Sequence, residues 1–156
     1  MNSRPIWLTV MALAAITCLG CQHVYPTTVS DPQQAAIRSE ISQVAENFIA
    51  ALEQVDASSA MSFLAEVPEF RHPDNEGHLF DYAGTKRAMS GFYAVASSQR
   101  ITTKRHAILV LDPDAALYVW QGSVSVNLKS GAQLSAADFN VSALFKRIDG
   151  RWKILF

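Results

Sequence analysis

Cysteine is nearly missing from this chain. Cys18 and Cys21 stand close together near the start, and no other cysteine follows. The remainder therefore holds no disulfide, no cysteine-based metal site and no thiol nucleophile, and its folded part must rely on a packed core. Charge is sparse as well, at 17% of residues, with a formal net charge of -1. Basic residues never cluster beyond pairs, at Lys86-Arg87, Lys104-Arg105 and Lys146-Arg147. That excludes the electrostatic footprint of a nucleic-acid binder. There is no glycine-rich phosphate loop, no nucleophile elbow and no paired-carboxylate motif. His72-Pro73-Asp74 with His78 matches no metal-binding spacing on a helix or finger, so neither a metal nor a cofactor is expected. The leading apolar stretch, residues 6–19, is 14 residues long. A membrane-spanning helix needs about 20.

What is present begins with an address. Arg4, the apolar stretch and Gly20 are the parts of an export signal. Cys21 directly follows the small residue, an arrangement that resembles the lipobox of bacterial lipoproteins. Cys18 and Leu19 stand where that motif usually has Leu and then Ala or Ser. The resemblance implies that residues 1–20 are a signal peptide and that Cys21 is lipidated as the mature first residue. Plain secretion and a retained signal anchor are the alternatives. Residue Gln22, in place of the Asp that retains such proteins at the inner membrane, implies an outer-membrane lipoprotein facing the periplasm if the source is Gram-negative. Loss of Arg4 with the leader leaves 12 basic against 14 acidic residues, a charge of -2.

Residues 21–32 contain Pro26, Thr27, Thr28 and Ser30 without periodicity and read as a tether. The rest, residues 33–156, is sized for one domain, and 49% of the chain is hydrophobic, enough for one sizeable core. Asp31-Pro32 reads as an N-cap followed by a first-turn proline. Ile37, Ile41, Val44, Phe48 and Leu52 then recur at helical steps, predicting one amphipathic helix of about six turns. Asp56 is expected to cap a short second helix with Ala60, Phe63 and Leu64 inward. A third helix is expected to open at Gly84-Thr85, with Met89, Phe92 and Ala96 on one side. Between them, short extended pieces around Arg71-His72 and Leu79-Phe80 flank a turn.

From residue 100 the period changes to two. Strands are predicted over 100–111, 115–128, 134–147 and 151–156. Ala116, Tyr118, Trp120, Gly122, Val124 and Val126 fall on one face of the second. Ala137, Phe139, Val141, Ala143 and Phe145 fall on one face of the third. Lys129-Ser130-Gly131 and Asp149-Gly150 are hairpin signals. Helices before a meander of antiparallel strands argue for α+β.

That order resembles the NTF2-like superfamily, most closely its SnoaL-like branch, across residues 35–156. The resemblance is carried by the first-helix stripe, the step Val55-Asp56-Ala57, and residues 65–72 entering the first strand. To these add Gly84, Asp114-Ala115-Ala116 and, most specifically, the hairpin of residues 145–154 with its Gly150-Arg151-Trp152-Lys153-Ile154. It implies a cone: three N-terminal helices packed on a strongly curved antiparallel sheet, with a pocket beneath the first helix and frequent homodimers through the sheet. It does not imply one activity, since relatives include isomerases, cyclases, dehydratases and proteins that only bind.

In the ketosteroid isomerase relatives a carboxylate base works with a tyrosine and a protonated aspartate. Matching residues puts His72 at the base, Phe48 at the tyrosine and Ser142 near the aspartate. Phe48 donates no hydrogen bond, so that constellation is broken. The expected site is instead an apolar pocket lined by Phe48, His72, Tyr118, Trp120 and Phe139, taking a small apolar ligand or lying beside a protein partner. The alternative is a cofactor-independent lyase or isomerase with His72 as general base, since an imidazole titrates near neutral pH. His78 and His106 are expected at the surface or on a strand face. Asp138, Asn140 and Ser142, with Gln121, Ser123 and Ser125, form a polar face, either solvated or buried between two copies.

Overall fold

The computed structural model describes residues 29–74 and 77–156. The leader, Cys21 and most of the tether lie outside them.

Helix α1 spans Asp31–Glu53, and α2 spans Ala57–Met61. Ser30, not Asp31, takes the N-cap position of α1, and it makes no side-chain cap bond. The proline in the first turn sets the start without one. The expected stripe is inward: Ile37 and Ile41 are buried, and Val44 and Phe48 pack half-buried against the same core. Ala45 and Ala51 are buried too, where small side chains let the helix approach its neighbours. The chain leaves α1 through Val55 at φ 56°. A β-branched residue in the left-handed region is strained. Asp56 then accepts the Ser58 N–H at 2.9 Å and starts α2 as expected.

Two short strands follow, β1 (His72–Pro73) and β2 (Leu79–Phe80), paired antiparallel with His72 opposite Phe80. Helix α3 spans Tyr82–Val95. It opens two residues before Gly84 because the Asp81 carboxylate accepts the Gly84 N–H at 2.6 Å. Its inward residues include Thr85, Met89 and Tyr93, spaced by four; Phe92, one step round the helix, is exposed.

The main sheet has strands β3 (Ala96–Asp112), β4 (Ala115–Leu128), β5 (Gln133–Ile148) and β6 (Arg151–Ile154), in that spatial order and all antiparallel. Strand β3 starts four residues earlier than its pattern suggests, because Ser97 and Ser98 obscure the alternation. Asp149 at φ 50° and Gly150 at φ 74° form the left-handed pair that a primed turn requires. A bulge between Gly122 and Val124 sets Phe139 opposite Gly122 but Ala136 opposite Val124. Ala137, expected beside Phe139, is thereby displaced from that face. Beyond β6 the sheet continues: Ile154 N–H donates to Phe63 O at 2.9 Å, and Ala65 N–H donates to Ile154 O at 2.8 Å.

Helices and sheet enclose one main core containing Ile41, Phe70, Tyr118, Trp120, Phe145 and Trp152. A smaller cluster of Tyr93, Ala96 and Val126 lies at the end of α1. Helix α1 is pinned along β3, since Arg38 donates to Ile108 O and Glu53 accepts the Ile101 N–H at 2.7 Å. Its middle is clamped to the β5–β6 hairpin. Glu40 accepts from the Trp152 indole at 2.6 Å and from Arg147 at 2.8 Å, while the Arg147 guanidinium lies 4.5 Å over the indole. These two hydrogen bonds, the indole's first, hold the Glu40 carboxyl below its ordinary range.

Candidate functional site on the helix-facing side of the sheet

Strand alternation sends Tyr118 and Trp120 of β4 to the same side, toward the helices. Trp120 is 5% exposed. Its indole N–H donates to Thr103 Oγ1 at 2.8 Å, which fixes the ring across the sheet toward β3. The ring lies over Gly122. A Cβ there would sit 2.3 Å from the indole and 2.2 Å from the Thr102 carbonyl oxygen. Glycine at 122 is therefore what lets the indole lie flat. Phe139 stands edge-on to Trp120 at 6.4 Å between ring centres.

Tyr118 sits between two rings, stacked on His106 at 5.5 Å and edge-on to Phe145 at 6.1 Å. Burial pushes its hydroxyl pKa up, and the Glu46 carboxylate on α1 pushes it the same way. His106 is exposed, as expected, and stands on the same sheet face as Tyr118. The bulge between Thr103 and Arg105 reverses the parity, so His106 pairs with Trp120 and faces the helices.

The structure thus brings Tyr118, Trp120 and Phe139 onto one face. Phe48 packs its ring against Phe63 at 5.8 Å. His72 lies on the two-stranded ribbon opposite Phe80, exposed at the residue level. The described ring contacts join neither Phe48 nor His72 to Trp120. Desolvation lowers the His72 pKa, with the Asp74 carboxylate opposing.

The opposite side of the sheet carries the polar set. Gln121 pairs with Asn140, and Arg105 donates to Gln121 Oε1 at 2.5 Å. Asp138 is paired with Lys104 at 2.7 Å, which lowers its pKa. Toward the other end of that side the residues turn apolar, with Leu109 58% and Val119 42% exposed.

Two surface clefts are open to solvent. One, of about 390 Å³, is lined by Glu66, Val67, Arg71, Asp81 and Tyr82; the other, of about 330 Å³, by Val44, Ser62, Phe63, Arg151, Trp152 and Lys153. Among the described residues no group of three or more His, Cys, Asp or Glu side chains is placed to hold a metal. No described helix is long and apolar enough to cross a membrane.

No protein-family model matches the sequence, and no curated protein is significantly similar to it. Solved structures do match. An NTF2-like superfamily protein from Salmonella enterica superposes with a TM-score of 0.70 at 14% identity, covering 78% of this chain and 88% of that one. The fold is NTF2-like. A candidate dehydratase of the NTF2-like family from Streptomyces avermitilis gives 0.68 at 12% identity, over 78% of this chain and 93% of its own. The LinA-type3 hexachlorocyclohexane dehydrochlorinase of Novosphingobium barchaimii gives 0.65 at 12% identity, over 81% and 86%. At such identities the likeness shows the NTF2-like architecture, while activity must be argued from the site.

Proposed function

We propose that this chain is an exported NTF2-like domain, tethered to the membrane through a lipid on Cys21, that binds a small apolar ligand on the helix-facing side of its sheet. The observation that carries the ligand reading is Phe139. It is 39% exposed and Val141 beside it 37%, on the same face as buried Trp120. An aromatic edge and an aliphatic neighbour left open beside an anchored indole offer apolar area with fixed geometry, which suits a ring or short aliphatic group. Exposed Leu109 and Val119 on the outer face favour a homodimer through the sheet, with the polar half of that face at its rim. A native mass spectrum of protein purified from its source tests the ligand reading. A retained small molecule lost on Phe139→Ala supports it, and an empty wild-type protein counts against it. Uptake of radioactive fatty acid by wild type but not by Cys21→Ala tests the tether.

A second reading rests on His72, an imidazole that titrates near neutral pH and stands on the β1–β2 ribbon. Two of the structural neighbours are named for eliminations, a candidate dehydratase and a dehydrochlorinase. In that reading the chain is a lyase or isomerase without a cofactor. His72→Ala would then lower turnover about tenfold to a hundredfold, while a binding domain would keep its ligand.

A further inference from the structure

We infer that the groove between α1, the end of α2 and β6 binds an amphiphilic carboxylate, with the carboxylate held at β6 and the chain lying along the apolar wall. The site is separate from the Trp120 face and does not rest on that reading. Val44, Phe63 and the Trp152 indole line the groove, and Arg151 and Lys153 stand beside them. No carboxylate is among those lining residues. Glu40, the neighbouring acid, is already taken up by Trp152 Nε1 and Arg147. Among the described residues Arg151 makes no hydrogen bond or ion pair. Lys153 donates one bond, to Ser62 O. An ammonium has three donors, so two remain.

The backbone adds a further donor. Ile154 N–H and C=O point away from β5, toward Phe63 and Ala65. Residues two apart on a strand present their backbone groups to the same edge. Trp152 therefore turns its N–H and C=O toward the groove. The segment that pairs with Ile154 does not reach back to it, because Phe63 N–H and Leu64 N–H bond instead to Ala60 O and Met61 O. Arg151, Lys153 and a strand edge with an open N–H thus border one groove of about 330 Å³. That combination is complementary to one carboxylate on an apolar chain. A neutral alcohol of equal length would leave the cations unpaired.

The test uses decanoate and decanol, each below its aggregation limit, with purified residues 21–156 or the full chain. Binding is followed by calorimetry and by the indole N–H resonances of Trp152 and Trp120. Decanoate should bind about tenfold more tightly than decanol, and Arg151→Gln should remove most of that difference, as expected for a charge-assisted bond. The resonance that moves should be that of Trp152. Val44→Glu, with its fold checked by circular dichroism, should weaken decanoate more than decanol. Equal affinity for the two probes, no binding, or an unchanged Arg151→Gln variant would overturn the inference. So would shifts centred on Trp120, an outcome that would leave the proposed function standing.

Discussion

Replacing Trp120 by alanine is the strongest test of how the helix-facing side is built. The indole is 5% exposed, hydrogen-bonded to Thr103, laid over Gly122 and met edge-on by Phe139. Burying a tryptophan removes about 150–250 Å² from water. At about 25 cal/mol per Å² that is roughly 4–6 kcal/mol, an upper bound because unfolded chains are partly compact. The indole hydrogen bond adds about 1 kcal/mol net. Gly122 offers no side chain to refill the space, so a cavity remains. A loss of about 4 kcal/mol is expected, within the range for Trp→Ala in cores. That is a large part of the 5–15 kcal/mol typical of a domain. A guanidinium melt followed by far-ultraviolet circular dichroism measures it without depending on the deleted fluorophore. Trp120→Phe keeps much of the packing and should lose less, about half as much. A loss below about 1 kcal/mol for Trp120→Ala would place the ring on an open face. It would sink both the packing argument and the ligand site built on it.

Three further outcomes follow from the same geometry. Gly122→Ala should cost at least about 2 kcal/mol in the same melt, because its Cβ meets backbone at Thr102 as well as the Trp120 ring; a neutral result would mean that the indole does not lie across that position. Burial pushes the Tyr93 hydroxyl up to about 12. An unfolded tyrosine ionises near pH 10, so the folded state's preference for the neutral phenol is fully present below that pH and is lost as pH rises toward 12. Wild type should lose stability across this window more steeply than Tyr93→Phe, and parallel curves would refute the shift. The Glu40 pKa is lowered, chiefly by the Trp152 indole and then by Arg147. Its contribution is therefore present above the unfolded carboxyl pKa and fades as pH falls through the folded value. The gap between wild type and Glu40→Gln, no more than about 1 kcal/mol for so exposed a carboxylate, should be widest at neutral pH and shrink below about pH 4.

The sequence by itself determined the order of elements and most of the inward residues. Side-chain period reports directly on which face is buried, and the breaks between periods report on turns. Asp56 as a cap, the Asp149-Gly150 turn and the stripe from Ile37 to Phe48 needed no tertiary information, because each is a local preference of the chain. Helix α3 starts two residues before Gly84, because the Asp81 carboxylate caps it. Only the tertiary structure decided how the strand faces line up around the candidate site. Two bulges, at Thr103/Arg105 and at Gly122/Val124, each add an odd residue and reverse the parity of everything beyond them. One sets His106 opposite Trp120; the other displaces Ala137. A bulge depends on two strands being paired, so a period read along one strand cannot reveal it. The groove beside Trp152 was hidden for the same reason, since its walls come from α1, the end of α2 and β6, which no local pattern joins.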